Sequence, residues 1–396
     1  MPSVVGASPI CHPFDADLKA LGMSRAAEDS CMTAVEKAFS ASYGQARAKF
    51  LGACQAVGLT VESHAHPLRG SQGEILAMDV ALDGPADAKN LLIISSACHG
   101  VEGYCGSGVQ VHALAQAPWR AKARAAGVAV LYIHALNPHG FSFDRRVTHE
   151  GVDLNRNFHD FSKPLPVNLD YREIADLLLP QVWPPSAENL AATERYIHER
   201  GLPRWQAAIS RGQYEFEQGL FYGGRSPTWN NLTLRQVLRR HGGRAAQVAW
   251  IDLHTGLGPC GVGEKIFAGR DDPQALMRAK AWWGDQVTSI YDGSSSSPML
   301  TGLMWTSVFD ECPQAQYTGI ALEYGTEPVA RVMQALRADH WLHGHPEAAP
   351  DLAREIRQQM RSVFYIDTPQ WRVQIIDQAQ RALFEAVEGL SRSGAH

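Results

Sequence analysis

Asn90-Leu-Leu-Ile-Ile-Ser-Ser-Ala-Cys-His-Gly-Val-Glu-Gly-Tyr-Cys-Gly-Ser-Gly108 passes from an uninterrupted apolar run into a histidine, a glutamate three residues later and a glycine-rich turn. Leu91-Leu92-Ile93-Ile94 shows no polar alternation, and a short apolar run bounded by turn signals reads as a strand buried on both faces. Strands of that kind belong to sheets covered by helices above and below. The type recurs at Val128–Ala135, Gln247–Leu253 and Tyr317–Glu323, with Glu74–Leu82 as a further β-type segment. Helical patterns occupy Met32–Leu51 and Gly108–Gln116. The fold class is therefore α/β, with a mixed central β-sheet flanked by helices, and residues 1–396 read as one domain.

Residues 159–245 interrupt this plan. They are proline-dotted at Gln181–Ser186, helical over Glu188–Arg200 and aromatic from Tyr214 to Trp229, and read as a mostly helical inserted lid that shapes the substrate site. Asp351–Ser391 has the pattern of amphipathic helices packed on the outside. Ser294–Ser297 reads as a loop tip.

The 396 residues are 45% hydrophobic and 19% charged, with net charge −5 and pI near 6.3. That balance gives no basic field for nucleic acid, and no run of like charges or zinc-finger spacing supplies one locally. Met1-Pro-Ser-Val-Val-Gly-Ala-Ser-Pro-Ile10 lacks the basic and apolar regions of a signal peptide, and no stretch reaches the ~18 apolar residues of a spanning helix. A cytoplasmic protein without membrane or nucleic-acid partners is expected. The seven cysteines, at 11, 31, 54, 98, 105, 260 and 312, form no CxxC pair and read as free thiols of a reducing compartment.

Four segments carry chemistry. His99 and Glu102, three apart where a strand enters a helix, can face one metal ion together. Open α/β sheets also bind ligands beyond the carboxyl ends of their strands. Val248-Ala-Trp-Ile-Asp-Leu-His254-Thr-Gly delivers a second histidine from a second strand end. Two imidazoles and a carboxylate favour zinc and leave its fourth position open. Asn137–Arg146, leading to Asp153-Leu-Asn-Arg-Asn-Phe158, places arginines in a loop where they can clamp a carboxylate or stabilise an oxyanion. Asp153 is suited to orient a ligand histidine through its other ring nitrogen. Glu323 ends a buried strand, where a carboxylate needs a partner or a task. Beside an activated water it can act as general base and acid.

In order and wording, these segments resemble the zinc carboxypeptidase superfamily, over roughly residues 75–330 without the insertion. Within it the chain looks like a poorly characterised bacterial branch with His-Gly-Val-Glu-Gly, Asp-Leu-Asn-Arg-Asn-Phe, Asp-Leu-His-Thr-Gly-Leu-Gly and Leu-Glu-Tyr-Gly-Thr. More distantly it is similar to the aspartoacylase and succinylglutamate desuccinylase branch. The resemblance implies an α/β/α sandwich holding one zinc ion on His99, Glu102 and His254, with Glu323 as general base. It implies Asn155 and Arg156 on the substrate carboxylate, Asp153 behind His99, and either Arg145 or Arg146 on the scissile carbonyl. Val101 stands where digestive carboxypeptidases have arginine, and Tyr291, Tyr317 and Tyr324 are the candidates for their capping tyrosine.

The expected activity is cleavage of an amide beside a carboxylate-bearing residue, of carboxypeptidase type, in a small peptide. The alternative is an N-acyl-amino-acid amidohydrolase using the same site, and a metal-holding scaffold without turnover is the third reading. Gly256-Leu-Gly-Pro-Cys-Gly261 matches GxGxxG but contains proline and runs into a strand-like segment, so it fails as a dinucleotide site. No GxSxG elbow exists, and Cys98 and His99 point to opposite faces of a strand, which excludes them as a nucleophile–base pair. Oligomeric state stays open.

Overall fold

The structure is a computed structural model that describes residues 25–393, with side chains from Met32 to Arg392. The segment Met1–Ile10, Cys11 and the Cys31 side chain lie outside the described residues. The chain opens with α1 (Arg25–Ala38) and α2 (Tyr43–Ala56), then β1 (Val61–Arg69), β2 (Ile75–Asp83) and β3 (Asn90–Ser95). α3 (Gly103–Ala115) and α4 (Ala117–Ala125) lead to β4 (Val128–His134) and the short α5 (Pro138–Ser142). α6 (Leu169–Leu178), α7 (Ala187–Arg200), α8 (Leu202–Ser210) and α9 (Trp229–Gly242) precede β5 (Gln247–Cys260) and β6 (Gly263–Phe267). α10 (Pro273–Trp283) and α11 (Ser307–Glu311) come before β7 (Gln316–Gly325). The chain finishes on α12 (Val329–Gly344), α13 (Pro350–Phe364) and α14 (Pro369–Ser393).

The seven strands form one mixed sheet in the order β1-β2-β4-β3-β5-β7-β6. β4, β3, β5 and β7 are parallel, and the flanking β2 and β6 are antiparallel to their neighbours. Alternate residues of the apolar runs feed two cores. Leu92 and Ile94 of β3, with Ala249, Ile251 and Leu253 of β5, pack under α2, α3 and α14. Leu91, Ile93, Val248 and Trp250 pack toward α9 and α11. This is why the runs lack polar alternation: both faces of the central strands are covered.

From β3 the chain crosses one way to β4 and later the other way to β5, so the sheet's topological switch lies between β3 and β5. A crevice opens there beyond the carboxyl ends of the strands. The chemistry-bearing segments leave from those ends: residues 96–103 after β3, 135–158 after β4, His254 on β5 and Glu323 on β7.

Two local differences from the sequence reading have plain causes. The helical stretch Met32–Leu51 breaks between Ala38 and Tyr43, because the Ser42 side chain accepts the Gln45 N–H and starts α2 afresh. β1 has a weak apolar signal since it is an edge strand, mostly exposed, with Pro67 inside the register shift between Ala65 and Arg69.

In residues 159–245, α6 and α8 bury Tyr171, Ile174, Leu178, Trp205 and Ile209 against Val332, Leu336, Met360 and Phe364 of α12 and α13. α9 instead packs Leu234, Val237 and Leu238 on the sheet. Among the described residues no helix is long and apolar enough to cross a membrane.

Candidate active site

The carboxyl end of β3 turns through Ala97, which is left-handed at φ 57°, and the Ala97 carbonyl accepts the Asn137 N–H at 2.8 Å. Gly100 then presses on the α5 segment: a Cβ there would meet the Gly140 carbonyl carbon at 2.1 Å and the Phe141 nitrogen at 2.2 Å. Only glycine lets the turn sit this close. The Gly100 and Val101 N–H groups donate to the Arg146 and Arg145 carbonyls at 3.0 and 2.9 Å, fastening the two loops together.

The turn brings His99 and Glu102 to His254. Nδ1 of each histidine lies 2.9 Å from the Glu102 carboxylate, one on each oxygen. The three side chains are buried, and their ligand atoms lie within 4.8 Å of one another, a spacing that can hold a metal ion. The outward nitrogens also meet carboxylates: His254 Nε2 is 2.6 Å from Asp252 Oδ2, and His99 Nε2 is 3.4 Å from Asp153 Oδ1. That support fixes ring orientation and leaves Nδ1 as the ligand atom. The donor set therefore fits a divalent cation. A second grouping, Cys98 with Asp252 and His254, also falls within that spacing. Burial and the charges of Asp252, Asp153 and Glu102 push the Cys98 thiol well above its ordinary value, so it stays protonated and is a poor ligand.

Electrostatics follow the geometry. Burial pulls the His254 imidazole down, but Asp252 and Glu102 on its two nitrogens outweigh it and hold the ring well above 6.5. Burial raises the Glu102 carboxyl, and the two histidines more than reverse that, leaving it below the usual carboxylate range. For Asp153, Arg146, Arg156 and His99 likewise outweigh burial.

Glu323 pairs in register with His254 across β5 and β7 and accepts the Leu257 N–H at 3.1 Å. Burial, then the charge of Glu102, pushes its carboxyl up to about 8. A carboxyl tuned to neutrality beside a ligand set suits proton transfer.

Only one of the two candidate arginines reaches this centre. Arg146 donates from Nε to Asp153 Oδ2 at 3.0 Å and from Nη1 to Glu102 Oε1 at 3.2 Å, and its Nη2 lies 2.8 Å from His99 Nε2. Arg145 is turned away: its Nε donates to Asp339 of α12 at 3.0 Å, and both partners are buried. Of the two arginines expected as alternatives, the structure thus places Arg146 at the centre and Arg145 away from it. Arg156 donates to the Asn155 and Ser210 carbonyls at 3.0 and 2.5 Å, while its buried Nε has no partner. Burial lowers its guanidinium, offset only in part by Asp153, so Arg156 is a buried cation with spare capacity for an anion. Asn155 Oδ1 accepts the Met304 N–H at 3.0 Å.

His99, Glu102, His254, Glu323, Arg146, Asn155 and Arg156 share one cavity of about 620 Å³. Ser295–Ser297, expected as a loop tip, lie on its wall. Tyr291, Tyr317 and Tyr324 do not line it; Tyr317 and Tyr324 are buried in the core, Tyr291 packs half-buried against it, and the Tyr291 and Tyr324 hydroxyls donate to the Gly269 and Ile375 carbonyls. Val101 is buried with the α6 and α8 side chains, which explains an apolar residue there. Two residues of the site escaped the sequence reading. Asp252 had a signal, since it lies two before His254 and shares its strand face. Phe221, whose ring lies 5.1 Å from the Arg146 guanidinium and 5.5 Å from that of Arg156, lies in residues 159–245 and had only the general signal of the aromatic stretch Tyr214–Trp229.

Residues 39–378 match the family model described as a protein of unknown function, DUF2817. The chain belongs to this family. No curated protein matches it. Solved structures similar to this DUF2817 member include carboxypeptidase A from Helicoverpa armigera, 11% identical, covering 90% of this chain and 75% of that one with a TM-score of 0.48. Bovine thrombin-activatable fibrinolysis inhibitor, in complex with tick carboxypeptidase inhibitor, is 11% identical over 90% of this chain and 99% of that one, with a TM-score of 0.49. A metallo-carboxypeptidase from Burkholderia cenocepacia is 15% identical over 88% and 69%, with a TM-score of 0.38.

Proposed function

We propose that this protein is a zinc-dependent amide hydrolase of carboxypeptidase type, acting on a small peptide. The observation that carries this is the convergence of two histidines and a carboxylate beside a raised-pKa glutamate, within a cavity that also holds the half-buried Arg146 and the buried Arg156. His99, Glu102 and His254 would hold the ion through Nδ1, Nδ1 and the carboxylate. Zinc bound there supplies a Lewis acid for the amide carbonyl and acidifies water. Glu323 takes the proton from the attacking water and returns it to the leaving amine. Arg156, with its unpartnered Nε, and Asn155 orient the substrate's carboxylate, and Arg146 stabilises negative charge on the carbonyl oxygen. Asp153 and Asp252 hold the two histidine rings.

Glu323→Gln keeps the shape and removes the proton acceptor, so zinc content should persist while hydrolysis of blocked dipeptides falls by at least about 10²-fold. A variant with full activity, or a wild-type protein that binds no zinc, would overturn the assignment. N-acyl amino acids in the same panel separate peptidase action from deacylation.

A further inference from the structure

We infer that Phe221 is a positioning residue: its single ring holds the Arg146 and Arg156 guanidiniums in place, and so sets where a substrate's carbonyl and carboxylate come to rest. The inference rests on the amide-hydrolase reading for what the two arginines do. Why the ring stands where it does follows from the build of residues 213–224.

That segment is clamped to the loop that carries the two charged groups. The Asp153 N–H donates to the Tyr222 carbonyl at 2.8 Å, the Tyr214 hydroxyl to the Arg156 carbonyl at 2.8 Å, and Asn157 Nδ2 to the Gly223 carbonyl at 2.8 Å. Gly223 lies so close that a Cβ there would meet the Tyr214 ring at 2.1 Å and the Arg156 carbonyl oxygen at 2.7 Å. Within this clamp Phe221 is left-handed at φ 54°, and its carbonyl accepts the Gln213 N–H at 3.1 Å. A bulky residue rarely adopts that conformation; such strain persists where the surroundings over-determine it, and it clusters at functional sites. The ring itself is buried, lines the cavity and belongs to the core cluster of Tyr171 and Leu220.

The ring answers an electrostatic problem. Arg146 Nε lies 3.0 Å from Asp153 Oδ2 and Arg156 Nη1 lies 3.8 Å from Asp153 Oδ1, so one carboxylate serves two cations. Arg146 also reaches Glu102, whereas Arg156 otherwise donates to the Asn155 and Ser210 carbonyls. A further carboxylate beside them would relieve the repulsion but neutralise the pocket, and an aliphatic side chain would leave the repulsion in place. An aromatic face attracts both cations and stays uncharged, so the guanidiniums remain available to an anion. The distances of 5.1 and 5.5 Å to the ring centre fall inside the ~6 Å reach of that attraction. One side chain thereby fixes the spacing between the group assigned to the carbonyl and the group assigned to the carboxylate.

The test uses zinc-loaded protein with Phe221→Leu, which keeps apolar bulk without a π face, and Phe221→Tyr, which keeps the ring. Melting curves and zinc content verify the fold and the centre of each, and Phe221→Met replaces the leucine variant if that one melts early. On a blocked dipeptide Phe221→Leu should raise KM and lower kcat, each by about 10-fold, while Phe221→Tyr stays within about threefold of wild type on both. A ring that only fills space would let the leucine variant match the tyrosine one, and a loss of folded protein alone would lower kcat at unchanged KM. Either result would overturn the inference and leave the hydrolase reading standing. Calorimetry with propionate and propionamide reads the arginines without turnover: the preference for the carboxylate should be alike in wild type and Phe221→Tyr and about 10-fold smaller in Phe221→Leu. If no substrate is cleaved, the hydrolase reading fails and this binding pattern decides alone, its presence supporting the role of the ring and an equal preference in all three proteins refuting it.

Discussion

Asp252→Asn should weaken zinc binding without disturbing the fold. Asp252 Oδ2 lies 2.6 Å from His254 Nε2, and Oδ1 accepts the Ser95 hydroxyl at 2.5 Å, itself receiving the Trp250 indole N–H at 2.7 Å. Asparagine is nearly isosteric and its Oδ1 still accepts from Nε2, while its NH2 group must donate to the Ser95 hydroxyl in place of accepting from it, so the change removes the charge and reverses one hydrogen bond. A hydrogen bond to a charged group contributes about 1.5–3 kcal/mol, against about 0.5–1.5 for a neutral one. The difference, roughly 1–2 kcal/mol, corresponds to about a 5- to 30-fold loss of affinity at 1.4 kcal/mol per decade. That overlaps the lower end of the ~10–100-fold range typical of residues supporting a metal ligand. Competition against a chelating zinc dye reads the affinity, and denaturant unfolding of the metal-free protein reads the fold. Affinity within twofold of wild type in a folded variant would mean that His254 does not ligate through Nδ1 with Asp252 behind it.

The two neighbouring arginines should separate cleanly. Arg146→Met should cost about 10²–10³ in kcat, the usual loss of an oxyanion-stabilising group. Arg145→Met should leave kcat nearly unchanged but destabilise the fold by about 3–5 kcal/mol, because it strands buried Asp339; steady-state kinetics with denaturant unfolding distinguishes them. Gly100→Ala forces backbone apart at Gly140 and Phe141 and should cost about 1–3 kcal/mol together with weakened zinc binding, both measurable on purified protein. His134, stacked on Phe50 and hydrogen-bonded to Ser107, is held at about 4 by burial. Its ordinary value is near 6.5, so the unfolded chain takes the proton first. Stability is then full above about pH 6.5 and declines toward pH 4, by roughly 3 kcal/mol from this residue. Unfolding curves at pH 7 and 4.5 should show His134→Gln with a smaller loss between the two, and an unchanged slope would refute the assignment.

What the sequence made legible follows distance along the chain. The sheet announced itself because strands buried on both faces must be apolar throughout, as at Leu91–Ile94, whereas the edge strand Val61–Arg69 needs no such run. The candidate metal set was legible for a similar reason. His99 and Glu102 are one turn apart, and His254 closes the set from the strand beside them. Asp252 could have been found by the same local rule. Of Arg145 and Arg146 the sequence could not choose, since adjacent residues of an irregular loop carry no periodicity; the choice is made by Asp339, almost two hundred positions away.

The apolar end of the cavity was illegible for a stronger form of that reason. Ile266, Ile290, Leu303, Trp305 and Ala321 sit on different segments, and each is an ordinary core residue on its own terms. Only the fold brings these five side chains to the wall of the cavity that also holds Asn155, Arg156 and Glu323. Phe221 shows the converse: a stretch with no motif supplies the ring against which both site arginines rest. Chemistry demands particular atoms at short range and so leaves local patterns. Selectivity demands only volume and the absence of charge, which many residue types supply. In this protein the candidate site is thus written in short motifs, while the rest of the cavity wall is set by how distant segments close around them.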